Sequence, residues 1–533
     1  MAPEKKQSFL HGAALLTAAT IIVKFLGALY KIPLGNIIDD AGFGYFNTAY
    51  DIYAMLLTIS TTGLPVALSR MIAQSGSLGH HRQLQRTMHT ALSMFVVLGA
   101  LGSILMVAFS KPLANWMNSP NSWAAIAALG PASLLMCLTS AFRGFFQGQG
   151  NMLPTSVSQV LEALCKLLVG LVLAWIIMGR TNNTALAAAG AILGVTLGSL
   201  ASTIYTYWKY RDVKSRLSRN SGPVDSYAET AKKLLAIAVP ITIGSAGLQI
   251  ITLLDAKVFM GRLMGAAGCT QEVADGLKGI YNFAQSVFGL PTAFVSPIAI
   301  SILPAITSQL TLRNGKGARR TEEAAARVVG LITLPCAVGL LVLAEPIMAL
   351  LRGYSGETLQ TASSILAVLG VCVIFSSLVT LTTTIMQAHG YVFIPVINTF
   401  VGGIVKIVVN YILVGDPRIN IQGAPFGTLC CYLCITILNL YTMRRMMRRP
   451  PNVLRHLIKP MVASVLMGAV AVVSWKLLGH ITASRLVLCV GPIALAAVAY
   501  LALVLALKVV TYEDCMLLPK GEKIARLLRI SAE

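Results

Sequence analysis

Apolar stretches long enough to cross a bilayer recur about fourteen times along this chain, near 10–31, 44–73, 87–109, 123–146, 153–178, 185–208, 233–260, 277–307, 325–344, 360–387, 393–414, 422–443, 457–478 and 485–508. About 20 apolar residues span a hydrocarbon core of ~30 Å as a helix, because in lipid every backbone polar group must be satisfied inside the segment. Of the 533 residues, 56% are hydrophobic and 12% charged, and the mean hydropathy is +0.74. A soluble domain carries about 25% charged residues. The expectation is an all-α polytopic membrane protein of about fourteen transmembrane helices.

The spans repeat internally. Gly44-Tyr45-Phe46-Asn47-Thr48-Ala49 matches Gly279-Ile280-Tyr281-Asn282-Phe283-Ala284 at an offset of 235, carried ungapped to Gln74 and Gln309. Gln147, Gly150 and Lys166 match Gln387, Gly390 and Lys406 at 240, and Gly190-Ala191-x-x-Gly194 matches Gly423-Ala424-x-x-Gly427 at 233. Lys31-Ile-Pro-Leu-Gly35 resembles Lys257-Val-Phe-Met-Gly261. Each match is weak alone, but four in one order at similar offsets indicate two parallel six-helix repeats with an axis along the membrane normal. The expected organisation is a first lobe over 1–208, a basic linker over 209–232, a second lobe over 233–444, an appended helix pair over 457–510 and a tail over 511–533. Such an architecture places a transport site between lobes.

The net charge of +22 could suggest nucleic acid, but its distribution argues against that. Segment 209–233 holds seven Lys/Arg, 311–327 five and 444–459 six. With fourteen spans these fall on one side, together with Lys5, Lys6, Arg82, Arg86 and the tail residues Lys520, Lys523, Arg526 and Arg529. The opposite loops are poor in Lys/Arg and include Asp39-Asp40. This positive-inside pattern predicts that both termini are cytoplasmic, with anionic lipid as a further contact of the basic runs. The first apolar segment is too long for a signal-peptide core and is expected to be the first span. Eight of the ten cysteines lie inside spans without a histidine pattern, so Cys431-x-x-Cys434 reads as core packing and no metal site is expected.

Ionisable groups inside a bilayer cost several kcal/mol and usually face a cavity or a partner. Lys24 lies roughly 20 Å into the first helix, and Lys31 follows two turns later on nearly the same face. The repeat-related Lys166 and Lys406 each lie roughly 20 Å deep. These four lysines are the candidate substrate-binding cations, forming a central positive cavity suited to a phosphate or pyrophosphate. Glu162 and Lys166 stand at i, i+4, so a private salt bridge is an alternative role for Lys166. Asp51, with Tyr50 and Tyr53, could bind a cation or counter a lysine. Asp255 has Lys257 and Arg262 close by, which favours a local charge pair. Arg70 and Arg143 fall near cytoplasmic helix ends, where they anchor topology or meet a head group. Asn282 and Gln285 are supporting polar candidates. His389 falls in a short loop and is assigned no role. Pro291, Pro297 and Pro304 are expected to bend the eighth span, which could gate a lateral opening. Neither a phosphate-cradling loop nor a large acid-rich catalytic loop is present in the sequence, so no enzyme activity and no cofactor are expected.

The stretches Lys24-Phe-Leu-Gly-Ala-Leu-Tyr-Lys-Ile-Pro-Leu-Gly35, Gly42-Phe-Gly-Tyr-Phe-Asn-Thr-Ala-Tyr-Asp-Ile-Tyr53, Ser60-Thr-Thr-Gly-Leu-Pro-Val-Ala-Leu-Ser-Arg70 and Phe142-Arg-Gly-Phe-Phe-Gln-Gly-Gln-Gly150 resemble the stage V sporulation protein B branch of the polysaccharide flippases. That branch sits with the MurJ-type lipid II flippases in the multidrug/oligosaccharidyl-lipid/polysaccharide exporter superfamily. The resemblance covers essentially the whole chain. It implies a V-shaped two-lobe transporter of the bacterial cell membrane working by alternating access. The head group of an undecaprenyl-pyrophosphate-linked glycan would enter the cationic cavity through a portal between the first and eighth helices. The appended helix pair would hold the polyprenyl tail. The expected partners are that glycan and membrane lipids, not nucleic acid, for a protein working as a monomer. The chain departs from the MurJ-type pattern in three places. Lys24 replaces a first-helix arginine, the second-helix arginine has no match, and the eighth-helix acid–arginine pair falls on Ala284-Gln285. Another lipid-linked glycan and a cation-coupled multidrug antiporter are the alternative substrates and activities.

Overall fold

The computed structural model of the chain describes residues 9–216, 224–507 and 509. The expected tail 511–533, Lys5, Lys6 and the middle of the basic linker, 217–223, lie outside the described residues. Every regular element among them is helical: α1 (Phe9–Thr61), α2 (Gly63–Ser77), α3 (His81–Ala108), α4 (Ser110–Trp116), α5 (Trp123–Gly148), α6 (Leu153–Thr181), α7 (Thr184–Arg216), α8 (Tyr227–Gly265), α9 (Gln271–Thr311), α10 (Gly315–Val342), α11 (Ala344–Arg352), α12 (Gly356–Ala388), α13 (Phe393–Leu413), α14 (Ala424–Met446), α15 (Val453–Ile481) and α16 (Arg485–Ala506), with short 3-10 turns at Pro120–Ser122 and Asn420–Gly423.

Thirteen helical stretches are long and apolar enough to span, the first of them running Leu15–Ser77 over 63 residues. A straight helix of that length would be about 95 Å long, three bilayer cores. The backbone breaks it twice. Asp39 adopts φ 55°, ψ −175° in the middle of α1, far from helical values, and interrupts the helix there. At Thr62 the helix breaks again, because Pro65 has no N–H for the Thr61 carbonyl and its ring crowds that oxygen. The break at Asp39 divides the first stretch into two crossings, the second of them interrupted at Thr62, and the total is fourteen. The first crossing runs on to Asp39, longer than the 10–31 expected from hydropathy alone. Large apolar side chains cover the outside, as a lipid-facing surface requires: Trp208 is 69% exposed and Phe393 79%.

The chain divides into two compact units, 1–283 and 284–533. In the first, Leu68 and Ile72 of α2, Met88 and Phe95 of α3, Phe142 and Phe145 of α5 and Leu234 of α8 form one buried cluster. Glycines bring these helices close. A Cβ at Gly144 would stand 3.0 Å from the Pro65 carbonyl, and one at Gly148 2.6 Å from that of Ser69. The Phe142–Gly150 and Ser60–Arg70 motifs thus pack on each other. In the second unit, α10 meets α12, α13 meets α14, and α15 packs on both α10 and α16. Buried Asn439 accepts from Asn398 at 2.8 Å and donates to Thr382 Oγ1 at 3.0 Å, a polar ladder through α13, α14 and α12. The Tyr500 hydroxyl donates to the Leu331 carbonyl at 2.9 Å, tying α16 to α10.

The repeat motifs have concrete structural roles. Gly150 at φ 76° and Gly390 at φ 88° end α5 and α12 in the left-handed conformation. The Gly150 amide donates to Gln147 at 3.0 Å and the Gly390 amide to Gln387 at 3.0 Å. The next amide reaches back to Phe146 in the first case and to Met386 in the second, at 3.0 and 2.9 Å. Gly194 faces the backbone of Gly170 where α7 crosses α6, and Gly427 faces Asn410 where α14 crosses α13. The same helix-stopping turn and the same close crossing therefore occur once in each unit.

Candidate functional site

In the first unit the polar groups gather along α1, α5, α6 and the start of α9. The aromatic run of α1 builds a cage. The Lys166 ammonium, from α6, lies 4.9 Å from the Tyr30 ring centroid, 4.7 Å from that of Tyr50 and 5.8 Å from that of Phe46. Tyr30 and Phe46 are fully buried, and the Tyr30 hydroxyl donates to the Ala191 carbonyl at 3.2 Å, which fixes the ring. Three ring faces hold a cation by their quadrupoles where few waters can solvate it. Lys31 is partly buried within electrostatic reach of both Lys166 and Asp51.

The i, i+4 salt bridge expected as an alternative for Lys166 is not formed. Glu162 instead meets Arg143 of α5 at 3.1 Å. Arg143 also donates to Ser158 at 2.8 Å and Ser202 at 3.2 Å, so its planar fork clamps α5, α6 and α7. Its side chain is only 12% exposed, which corrects the reading of Arg143 as a helix-end anchor. The guanidinium meets this carboxylate and two hydroxyls at the same time through donors fixed in one plane.

Asp51 counters a lysine, and that lysine is Lys278. The Lys278 side chain is 3% exposed and donates to Asp51 at 3.2 Å and to Thr48 Oγ1 at 2.8 Å. One turn earlier, buried Asp275 accepts from Ser119 at 2.7 Å and from Gln271 at 2.9 Å. The close approach that permits this is glycine-dependent: the Gly44 position abuts the Asp275 carbonyl and the Gly279 position abuts the Asp40 carbonyl. These two glycines open the two copies of the Gly44/Gly279 repeat. Sequence reasoning missed Lys278, although it directly precedes the matched glycine and is a lone cation at the head of an apolar span.

The remaining candidates are dispersed. Lys24 and Arg70 are exposed. Asp255 is buried at 7%, while its neighbour Lys257 places its ammonium 4.3 Å from the Trp116 ring centroid. Asn282 is partly buried in the first unit, and Gln285 and Lys406 are partly buried in the second. His389 has a partner after all: its Nε2 lies 2.7 Å from Oε1 of Glu322, which is 1% exposed. No group of three or more His, Cys, Asp or Glu among the described residues is arranged to hold a metal ion.

The model of the family described as "Polysaccharide biosynthesis protein" matches residues 9–309, and that of the MatE family matches 279–412. The chain is 27% identical to the uncharacterized membrane protein YabM of Bacillus subtilis (strain 168), over 98% of this chain and 97% of that one. It is 24% identical to stage V sporulation protein B of the same organism, over 83% and 85% of the two chains. It is also 24% identical to that organism's lipid II flippase MurJ, over 88% and 89%. The fold is similar to a solved inward closed conformation of a lipid II flippase MurJ, with a TM-score of 0.68 at 14% identity, covering 92% of this chain and 98% of that one. With more than half its length matched by the family model, the chain belongs to the polysaccharide biosynthesis protein family, and so to the multidrug/oligosaccharidyl-lipid/polysaccharide exporter superfamily of membrane flippases and transporters.

Proposed function

We propose that this protein moves an undecaprenyl-pyrophosphate-linked glycan precursor, with lipid II the leading substrate, from the inner to the outer leaflet by alternating access. The observation that carries this reading is the pair of lysines, Lys31 and Lys166, that lie beside the α1 rings of the first unit without an ion-pair partner among the described residues. Arg143 is matched by Glu162 and Lys278 by Asp51, each within 3.2 Å. Lys31 and Lys166 have no carboxylate at ion-pairing distance among the described residues, and the Lys166 ammonium lies within 5 Å of the Tyr30 and Tyr50 ring centroids. A pyrophosphate supplies the missing negative charge, and rings beside a cation also suit the apolar face of a sugar. A site with surplus positive charge disfavours a cationic drug, which weighs against the multidrug antiporter.

In this reading the two repeats, 1–208 and 233–444, rock about the site, Lys24 and Lys406 contribute to its charge, and the helices over 457–510 take the polyprenyl tail. The termini and the basic segments lie on the cytoplasmic side of a bacterial cell membrane, and the protein works as a monomer. The test is translocation of labelled lipid II by the purified protein in liposomes, with and without an imposed membrane potential. Protein-dependent flipping supports the proposal. Its absence from folded protein, together with flipping of another undecaprenyl-linked glycan, would move the assignment to that glycan.

A further inference from the structure

In the second unit, three short segments converge on a cavity of about 720 Å³ at the end of the helices. The turn between α9 and α10 supplies Arg313, the second turn of α10 supplies Arg319, and the segment after α14 supplies Arg448 and Arg449. His389 and the buried Glu322 complete the charged part of the wall. Arg319 is occupied by Glu323 at 2.9 Å. The side chains of Arg313, Arg448 and Arg449 line this cavity and make no hydrogen bond or ion pair among the described residues.

The frame around them is fixed. Asn314 caps α10 by accepting from the Gly317 amide at 2.9 Å. The Tyr391 hydroxyl donates to the Met446 carbonyl at 3.1 Å, fastening the α12–α13 turn to the segment that bears Arg448 and Arg449. The Arg449 side chain passes 4.0 Å from the Cβ position of Gly315, at the positive end of the α10 dipole. A second cavity of about 400 Å³ shares Arg319 and adds Arg327, Arg455 and Lys459. Positive-inside topology accounts for the number of basic residues on this side, but it does not require three guanidiniums, unpaired among the described residues, to line one cavity. Mutual repulsion there is relieved by an anion that accepts several N–H groups at once, which is the chemistry of a phosphate.

We propose that the cavity formed by Arg313, Arg448, Arg449 and the N-terminus of α10 is a binding site for a phosphate group, separate from the lysine cage of the first unit. Its source is either the headgroup of an anionic phospholipid or a soluble phosphate compound.

The experiment is hydrogen–deuterium exchange over 313–322 and 446–452 in the purified full chain, in phosphatidylcholine nanodiscs. One arm adds phosphatidylglycerol to the nanodisc and the other titrates inorganic pyrophosphate. Protection of both segments by the lipid alone identifies a lipid site, and protection by pyrophosphate alone a soluble one. Either must disappear in the R313Q/R448Q/R449Q variant. The single R448Q variant is expected to weaken the response about fivefold, the effect of roughly 1 kcal/mol per basic residue near an anionic surface, and it serves if the triple variant does not fold. Glu322→Gln removes the negative charge from the wall while keeping a hydrogen-bond acceptor for His389, and it is expected to strengthen binding. No protection in either arm, or protection unchanged in the arginine variants, overturns the proposal.

Discussion

Lys278 and Asp51 form an ion pair of 3.2 Å in which the lysine is almost wholly buried and the carboxylate is 27% exposed. The pair joins the start of α9 to the second crossing, and Thr48, one turn before Asp51, completes the lysine's coordination at 2.8 Å. Removing one partner of a buried pair leaves an uncompensated charge. Lys278→Ala is therefore expected to destabilise the protein by about 3 kcal/mol, less whatever water restores to Asp51. Thermal unfolding in detergent checks this through a double-mutant cycle. Adding Asp51→Ala should recover part of the loss, with a coupling of about 1 kcal/mol or more. Strict additivity would mean that the pair contributes nothing.

The helix crossing beneath this pair depends on two glycines. Gly279→Ala drives a methyl into the Asp40 carbonyl, whereas Gly276, one turn away on the same helix, has open space around its Cβ position. Gly279→Ala should cost about 1–3 kcal/mol by overpacking. Gly276→Ala should be neutral or gain up to about 1 kcal/mol from helix propensity. Unfolding midpoints of the two variants, measured side by side, separate steric conflict from propensity.

Arg143 holds three oxygens from two helices. Arg143→Lys keeps the charge but loses the planar fork, and it should lower stability by about 1–3 kcal/mol with Glu162 left partly unsatisfied. Adding Glu162→Gln to Arg143→Lys should then cost little more. A full additional loss on unfolding would show that Glu162 has another essential partner.

Lys31→Ala and Lys166→Ala should each slow lipid II translocation in liposomes by about tenfold or more, the loss of a charge-assisted contact of roughly 1.5–3 kcal/mol. Lys24→Ala and Lys406→Ala should also impair turnover while leaving folded protein. Tyr50→Phe keeps the ring under the Lys166 ammonium and should change little. If all four lysine variants retain full turnover, the cationic site is not where the substrate's pyrophosphate binds.

Much of the candidate site was legible as chemistry but not as pairing. The lysines at depth, the aromatic run Tyr45–Tyr53 and the glycines of the repeats all stand out in the sequence. Glu162 and Lys166 share a helix face, which made their pairing look local. The fold instead gave Glu162 to Arg143, 19 residues away, and surrounded Lys166 with rings from α1. Neither Lys278 nor Glu322 was singled out from the sequence, yet both are buried and partnered by residues 227 and 67 positions distant.

The sequence by itself determined the number of crossings, the helical class and the repeat. These depend on the length of apolar runs, on the rule that backbone groups in lipid bond within their own helix, and on glycines at equivalent turns. It also determined which residues would be costly to bury. Only the tertiary structure decided how each of them was satisfied. Helical periodicity fixes the face a side chain occupies on its own helix, whereas its partner depends on the rotation and crossing distance of the helix opposite. At Gly44 and Gly279, contacts far apart in sequence set that distance.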